Sequence, residues 1–525
     1  MKRLRLVLLV FVAVASVLAA MAAAFYGIEN WRGARVWEQA KRELAAAGET
    51  LDAESLIPPP VPDERNAALI PLFARELEYR ADPATGRFTF GPVGTADGPS
   101  RAMPYGSAAG KPDGRDGSWT SGRAMDLDRV RDYYGKRKDF PSPEPSDSAA
   151  EGVLRALMRF APELQELEDG LRERPEGRFP VDWWHEPPFG LRLPHYYPVQ
   201  KLTQTLRLRA VASLAAGRHA DAARDVVTAF RLRAIIQPEP TLIGHLVVMT
   251  CDILLLQTVW EGLAQRQWTA AELTEIQASL RRDDLLADYT QAVRGERNLY
   301  LHRTMEIVRR TGNWRGSFVA PDTVSDDVFA HALSWSVILG PRGWLDTNEA
   351  GLCMDYQQLL TTAMDVRTHR VRPEQLRAMD DERNAGNQML SPKAFLRKMA
   401  FPVVESVLPR TTRTQSACEQ AEVACALERH FLDRGMYPGA LDALVPAYLD
   451  RVPHDLVDGA PMRYARTDDG RYRLYVVGWN GRDDGGTVAW PRMPGDTLRT
   501  DDKEGDWVWQ YTPVPLPEGA LKNTP

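Results

Sequence analysis

The spacing of apolar and polar positions changes character several times along the chain. Lys2, Arg3 and Arg5 precede an uncharged apolar run from Leu6 to Tyr26. Those 21 residues match the roughly 20 that a helix needs to cross a bilayer core. Asn30 to Gly48, rich in Ala, Glu and Arg, predicts a short amphipathic helix. The stretch Ile57-Pro58-Pro59-Pro60-Val61-Pro62 predicts a polyproline II spacer between membrane and body. A helix is expected from Asp63 to Tyr79. Residues 81–124, loaded with Gly, Pro, Asp and Ser, predict a long loop with one hairpin around Phe88 and Phe90. Pro141 to Ser148 is a second breaker-rich link.

From Ala149 to about Leu408 the apolar positions recur on a helical period. Tyr197 to Ile236 splits into two helices at Gly217-Arg218-His219. Leu242 to Leu263 is apolar enough for a second span, yet it contains His245, Asp252 and Glu261. A central Asp costs about 2.5–3.5 kcal/mol on insertion scales, so a buried core helix is expected instead. Further helices are predicted at Ala270–Arg281, Asp284–Thr311, Asp327–Leu339 and Glu349–His369, the first opened by a Thr269/Glu272 capping box. From about Arg413 a helix runs to Arg434 and stops at Gly435. Met462-Arg463-Tyr464 and Tyr472–Gly478 then read as strands of a hairpin around Asp469-Gly470. The pattern as a whole is mainly α. An anchor or signal (1–28), a linker and irregular region (29–148) and a helical domain (149–410) precede a small α+β domain (411–512) and a flexible tail (513–525).

Two segments resemble known modules. Leu214-Ala215-Ala216-Gly217-Arg218, followed by Ala220, Ala222 and Ala223, resembles one tetratricopeptide-type hairpin. No 34-residue recurrence accompanies it, so a repeat array is not predicted. Near the C-terminus stand Tyr437-Pro438, Leu441 and Leu444, Asp458-Gly459, Tyr472-Arg473-Leu474-Tyr475 and the Gly478–Gly486 loop. Together with the preceding helix, over roughly 413–509, they resemble the C-terminal globular part of the major pseudopilins of type II secretion systems. The resemblance implies calcium on loop oxygens, at Asn480, Asp483, Asp484, Asp501, Asp502 and Asp506. Ca²⁺ takes six to eight oxygens. An EF-hand order is absent because Arg482 occupies a ligand position, and the alternative is a set of turn residues chosen for their backbone conformations. The prepilin processing pattern is missing, and the helix at 413–434 is too polar for a membrane, so polymerisation is not implied. The whole chain also resembles exported bacterial proteins that join a helical body to such a tail, a likeness that implies architecture and no activity.

Charge and composition narrow the partners. With 44% apolar and 26% charged residues, a chain of 525 residues builds globular domains and not bulk disorder. The net charge of -6 is spread over both signs with no concentrated basic face, so nucleic acid is not an expected partner. Basic residues ahead of the apolar run place the N-terminus in the cytoplasm and export the rest. Ala20, Ala22, Ala23 and Ala24 would also suit a signal cleavage site, although the run exceeds the usual h-region of about 7–15 residues. The expected location is the cell membrane, single-pass through residues 6–26, with the body periplasmic in a two-membrane cell. Cys418 and Cys425 lie two helical turns apart, about 10 Å, too far for a disulfide. Any bridge would join distant segments, such as Cys251 to Cys353; the alternative is four buried hydrophobes.

The most site-like cluster is Asp182-Trp183-Trp184-His185-Glu186, with His195-Tyr196-Tyr197 close behind. Trp184, His185 and Glu186 are the catalytic candidates. Rings beside His and carboxylate suit a sugar or peptide groove, or acid–base chemistry; the competing account is a proline-rich loop pinned by its aromatics. No H-E-x-x-H, G-x-S-x-G or Rossmann glycine set occurs. Gly106 to Lys111 imitates a phosphate loop with one residue too few and Pro112 in the hydroxyl position. The expectation is therefore a non-enzymatic, membrane-anchored envelope protein that binds or scaffolds a protein partner, with no cofactor beyond that calcium. The alternatives are an extracytoplasmic hydrolase or carbohydrate-binding protein, and an accessory factor of a type II secretion-like machine.

Overall fold

The computed structural model describes residues 2–77, 79–81, 88–90, 117–281, 284–312, 340–384, 393–489, 503–509 and 511. The helix expected at Asp327–Leu339, the Gly106–Lys111 imitation, and Asp501 and Asp502 lie outside these. The chain begins as one helix, α1 (Lys2–Ala46), of 45 residues. The expected separate helix at Asn30–Gly48 is its second half, because no proline interrupts the backbone and a lone Gly27 does not break it. The first half is long and apolar enough to cross a membrane, and none of its most apolar stretch is buried. The second half buries a narrow seam, Glu29, Gly33, Trp37, Ala40 and Leu44, spaced three or four apart. Burying Trp37 and Leu44 is worth about 1.5–3 kcal/mol each. Gly48, at φ +76°, ends the run.

Beyond it, Glu49 accepts from Arg294 at 2.5 Å and Arg297 at 2.7 Å, tying the chain to the body. Ala53 is buried with Trp183, Leu299 and Tyr300, and Ile57 packs on that cluster. The prolines at 58–62 therefore run along the body and are not a spacer ahead of it, since the second half of α1 has already entered the core. The expected helix at Asp63–Tyr79 is two 3-10 turns, Asp63–Arg65 and Ala67–Leu69, and a short α2 (Pro71–Leu77). Asn66 caps the second turn with its side chain, and Pro71 cannot donate into a helix continued from before it. Strands β1 (Tyr79–Ala81) and β2 (Phe88–Phe90) pair antiparallel, Tyr79 opposite Phe90.

The body continues through α3 (Leu127–Gly135), α4 (Ala149–Leu157) and α5 (Ala161–Glu173) to a helical hairpin, α6 (Tyr196–Ala215) and α7 (His219–Ala234). Gly217 turns that hairpin at φ +72°. Next comes α8 (Leu242–Ala264), the apolar helix with three ionisable residues, and 67% of its most apolar stretch is buried. Each of its three ionisable side chains has a partner. Asp252 meets Arg233 of α7 at 2.6 Å, both sealed from solvent. His245 Nε2 is 2.9 Å from Thr411 Oγ1. Glu261 accepts from the Met125 amide at 3.1 Å and from Gln257, whose own carbonyl accepts from the Trp119 amide. Burial pushes His245 down to about 3, so it is neutral. A helix so engaged on several sides belongs to a protein core, as its sequence predicts.

After α9 (Ala270–Leu280), opened by the expected Thr269/Glu272 capping box, α10 (Leu285–Gly295) runs through a π-helical stretch, Glu296–His302, into α11 (Arg303–Thr311). Then α12 (Gly343–Gln358) packs along α1. The helix expected at Glu349–His369 ends early, passing through a π turn at Leu359–Ala363 into a two-stranded ribbon. The ribbon joins β3 (Met364–Asp365) to β4 (Arg370–Val371), and His369 at φ +48° completes its turn. Two further helices, α13 (Pro373–Asn384) and α14 (Phe395–Glu405), lead to α15 (Leu408–Arg434), which Gly435 caps at φ +74°.

Helix α15 lies against a three-stranded antiparallel sheet of β5 (Arg463–Arg466), β6 (Tyr472–Val476) and β7 (Trp507–Trp509) in that order. Tyr464 pairs with Leu474, and Leu474 with Trp509. Tyr472, Leu474 and Val476 alternate inward from β6. This region shares the body's core. One continuous hydrophobic cluster runs from Trp37 to Trp509, and α15 packs on α8, α9 and α10. Arg471 donates to the Leu263 and Ala264 carbonyls at the end of α8, and Trp119 lies 5.1 Å from Trp509. Residues 29–148, read as linker and irregular, likewise supply Trp37, Phe73 and Trp119 to that cluster.

Candidate functional site

The loop from Phe179 to Tyr196 enters α6 with its aromatic residues divided between core and surface. Trp183 is buried and its carbonyl accepts from Arg303 at 2.7 Å. Trp184 is 48% exposed, and the same Arg303 guanidinium sits 4.7 Å from its ring centre. His185 Nδ1 stands 3.8 Å from Asp182, beyond hydrogen-bond reach, and Glu186 is paired with Arg310 at 2.8 Å. Trp184, His185 and Glu186 are thus neighbours on an exposed loop held by α11. Phe189, also exposed, tilts against Tyr300 at 5.7 Å.

His195 goes inward. It is fully buried, stacked on Phe179 at 4.3 Å, and its Nε2 is 2.9 Å from Glu239. Tyr196 donates to the same carboxylate at 2.6 Å, and its oxygen is 2.7 Å from Thr241 Oγ1. Burial first, and then the charge of Glu239, raises the Tyr196 phenol well above its ordinary value. Glu296 lies across the start of α8, where the Leu242 amide donates to it at 3.3 Å, and burial pushes its carboxyl up to about 7. This His–Glu–Tyr group has the parts of an acid–base relay, but His195 and Glu239 are closed to solvent, so chemistry there would require the loop to open. Sequence reasoning found His195 and Tyr196 but missed Glu239 and Thr241. The available signal was Pro238-Glu239-Pro240-Thr241, a carboxylate fixed between two prolines immediately before a helix cap.

The acidic loops of the C-terminal region are arranged around Arg463. Its guanidinium reaches Asp455 at 2.9 Å, Asp483 at 2.8 Å and Asp458. The backbone amide of Gly485, and then Arg463, hold the Asp483 carboxyl below its usual range. Asp506 is buried and accepts from the Gly486 and Asp484 amides at 2.6 and 3.2 Å, while Asn480 donates to Asp484 at 3.2 Å. Of the six residues implied for calcium, these four are therefore engaged with protein groups. Among the described residues no group of three or more His, Cys, Asp or Glu could hold a metal ion. The four cysteines are buried and unbridged, so a Cys251–Cys353 disulfide is not formed.

No family model matches the chain, and neither a curated protein nor a solved structure does.

Proposed function

We propose that this chain is a single-pass membrane protein, held by residues 6–26 and uncleaved, whose body stands outside the cytoplasm as a protein-binding scaffold of the cell envelope. The observation that carries the reading is the continuity of α1. The apolar span and the seam buried in the body are one helix, so the body is presented at a fixed height and angle. Lys2, Arg3 and Arg5 supply the cytoplasmic end. A docking point is offered at the tip of α15, where Leu432 and Met436 are 47% and 62% exposed beside the C-cap. The likeness of that module to pseudopilins makes an assembly of the secretion-machine kind one candidate partner, by analogy of fold alone.

The test uses three variants of the full chain in its native membrane. A cysteine placed at exposed Asp468 should react with an impermeant maleimide in intact spheroplasts, and the mature protein should retain the mass of its N-terminal segment. A photocrosslinker at Leu432 should give a discrete adduct that Met436→Glu abolishes. Labelling only after lysis, or absence of any adduct, overturns the reading. Truncation after Arg410 is unsuitable, because it removes α15 from the common core. A second reading, an extracytoplasmic sugar-binding protein or hydrolase, is favoured by the exposed Trp184 and Phe189 either side of His185. Soluble oligosaccharides that quench tryptophan fluorescence in the parent and not in Trp184→Ala would establish it.

A further inference from the structure

The span ends directly against the body. Phe25 meets Trp344 edge-on at 6.2 Å, and the Trp344 indole donates to Glu29 at 2.8 Å. Lys393 reaches the same carboxylate at 2.5 Å, and Asn30 accepts from the Gly343 amide at 2.9 Å. No linker separates Tyr26, the last residue of the apolar run, from these contacts. At 1.5 Å per residue Glu29 lies about 4.5 Å and Trp31 about 7.5 Å beyond it. The headgroup layer is about 5–8 Å deep on each side of the hydrocarbon. The parts of the body level with Glu29 and Trp31 therefore share that layer.

What the body exposes there is aromatic and basic. Trp31 is 57% exposed with Arg35 stacked 4.2 Å above its ring, and Trp344 is half-buried. Arg32, Arg35 and Arg342 are exposed, and Lys393 is partly so. Among the described residues the acid facing them is Glu29, buried and paired with Lys393 at 2.5 Å and with Arg32 at 3.4 Å. Indoles at headgroup depth and long cations that extend from an apolar helix to phosphate are the chemistry of an interfacial collar.

Resting on the anchored reading above, we infer that this collar, centred on Trp31, Trp344, Arg32, Arg35 and Arg342, is a docking surface for anionic phospholipid headgroups that seats the body on the bilayer. Two features commit it to lipid and not to a protein. It is continuous with the membrane span, and among the described residues its exposed charge is basic, complementary to phosphate. The rigid crossing of α1 then fixes which face of the body looks away from the membrane.

The test uses the full chain in nanodiscs of phosphatidylcholine alone and of equal parts phosphatidylcholine and phosphatidylglycerol. A spin label at exposed Ile28, about 3 Å beyond Tyr26, reports depth, and native mass spectrometry reports bound lipid. The expected result is a label at headgroup depth and phosphatidylglycerol retained above its bulk share, weakened about fivefold for each arginine replaced in Arg32→Gln, Arg35→Gln and Arg342→Gln. The unfolding midpoint of those surface variants should match the parent. Retention at the bulk ratio in the parent, or enrichment untouched by the substitutions, overturns the proposal. Dipolar broadening between labels would assign the face to a second copy and overturn it equally. Failure of the anchored reading is separate, because a cleaved protein would not enter the nanodisc at all.

Discussion

The crossing of α1 and α12 makes Gly33 the position where one added carbon should matter most. A Cβ built there lies 2.1 Å from the Gly343 carbonyl oxygen and 2.3 Å from its Cα, both backbone atoms that cannot rotate away. Gly343 is as tightly placed at the same crossing, since a Cβ there lies 2.1 Å from the Glu29 carbonyl oxygen. Reaching an ordinary 3.4 Å contact from 2.1 Å requires α1 to move by at least 1.3 Å. A gap of 0.5–1 Å forfeits a quarter to a half of a dispersion well, and the seam includes Trp37 and Leu44. Overpacking of this kind costs about 1–3 kcal/mol, and a backbone-to-backbone clash belongs at the upper end, about 3 kcal/mol for Gly33→Ala. Urea titration of the detergent-solubilised full chain, followed by tryptophan fluorescence, should show the midpoint fall by roughly 1 M for an m-value near 3 kcal/mol/M. Gly27→Ala, six residues away with nothing within 4 Å, is the control and should leave the midpoint unchanged or raise it slightly. Gly33→Ala and Gly343→Ala strain the same contact, so their costs should be less than additive. An unchanged midpoint in Gly33→Ala, or an equal fall in Gly27→Ala, would refute the claim that α1 is built into the body.

Other outcomes follow from the buried polar groups. Asp252→Ala takes the counter-charge from Arg233, buried in the core, and should cost about 3–5 kcal/mol, whereas Asp252→Leu with Arg233→Met should cost much less; equal losses would mean the pair is solvated. Donating to the Asp284 carboxylate raises the His369 pKa, while burial pushes Asp284 up and the bonds it accepts from His369 and the Ala287 amide more than offset that. His369 therefore stabilises fully below its ordinary value of about 6.5, and the contribution fades as pH rises through the raised value. Denaturation midpoints should decline over that window in the parent and lose that component in His369→Gln. All four thiols are buried, and burial pushes Cys251 up to about 12. A maleimide should modify none of them in the folded protein and all four in denaturant, and rapid native labelling would contradict the packing of α8, α12 and α15.

The local rules of the chain were legible wherever a short stretch decides its own conformation. The capping box at Thr269, the αL glycines 217 and 435, the Asp469-Gly470 hairpin and the burial of an apolar helix carrying Asp252 all follow from residues within a few positions of one another. The candidate loop at Trp183–Glu186 was visible for the same reason, as a cluster in sequence. Tertiary structure alone decided the rest, because the deciding contacts join residues far apart in the chain. Nothing in the local sequence singles out Gly33 until Gly343 is laid against it, and the proline run reads as a spacer until α1 is seen entering the core. His195 finds Glu239 forty-four positions away, and Arg463 reaches acids before and after it. The sequence by itself determined most of the helices, the N-terminal stretch long and apolar enough to cross a membrane, and which faces are apolar. Packing determined that the second half of α1, the helical body and the C-terminal sheet share one core, because burying a face is local chemistry while choosing its partner is a competition among all faces at once.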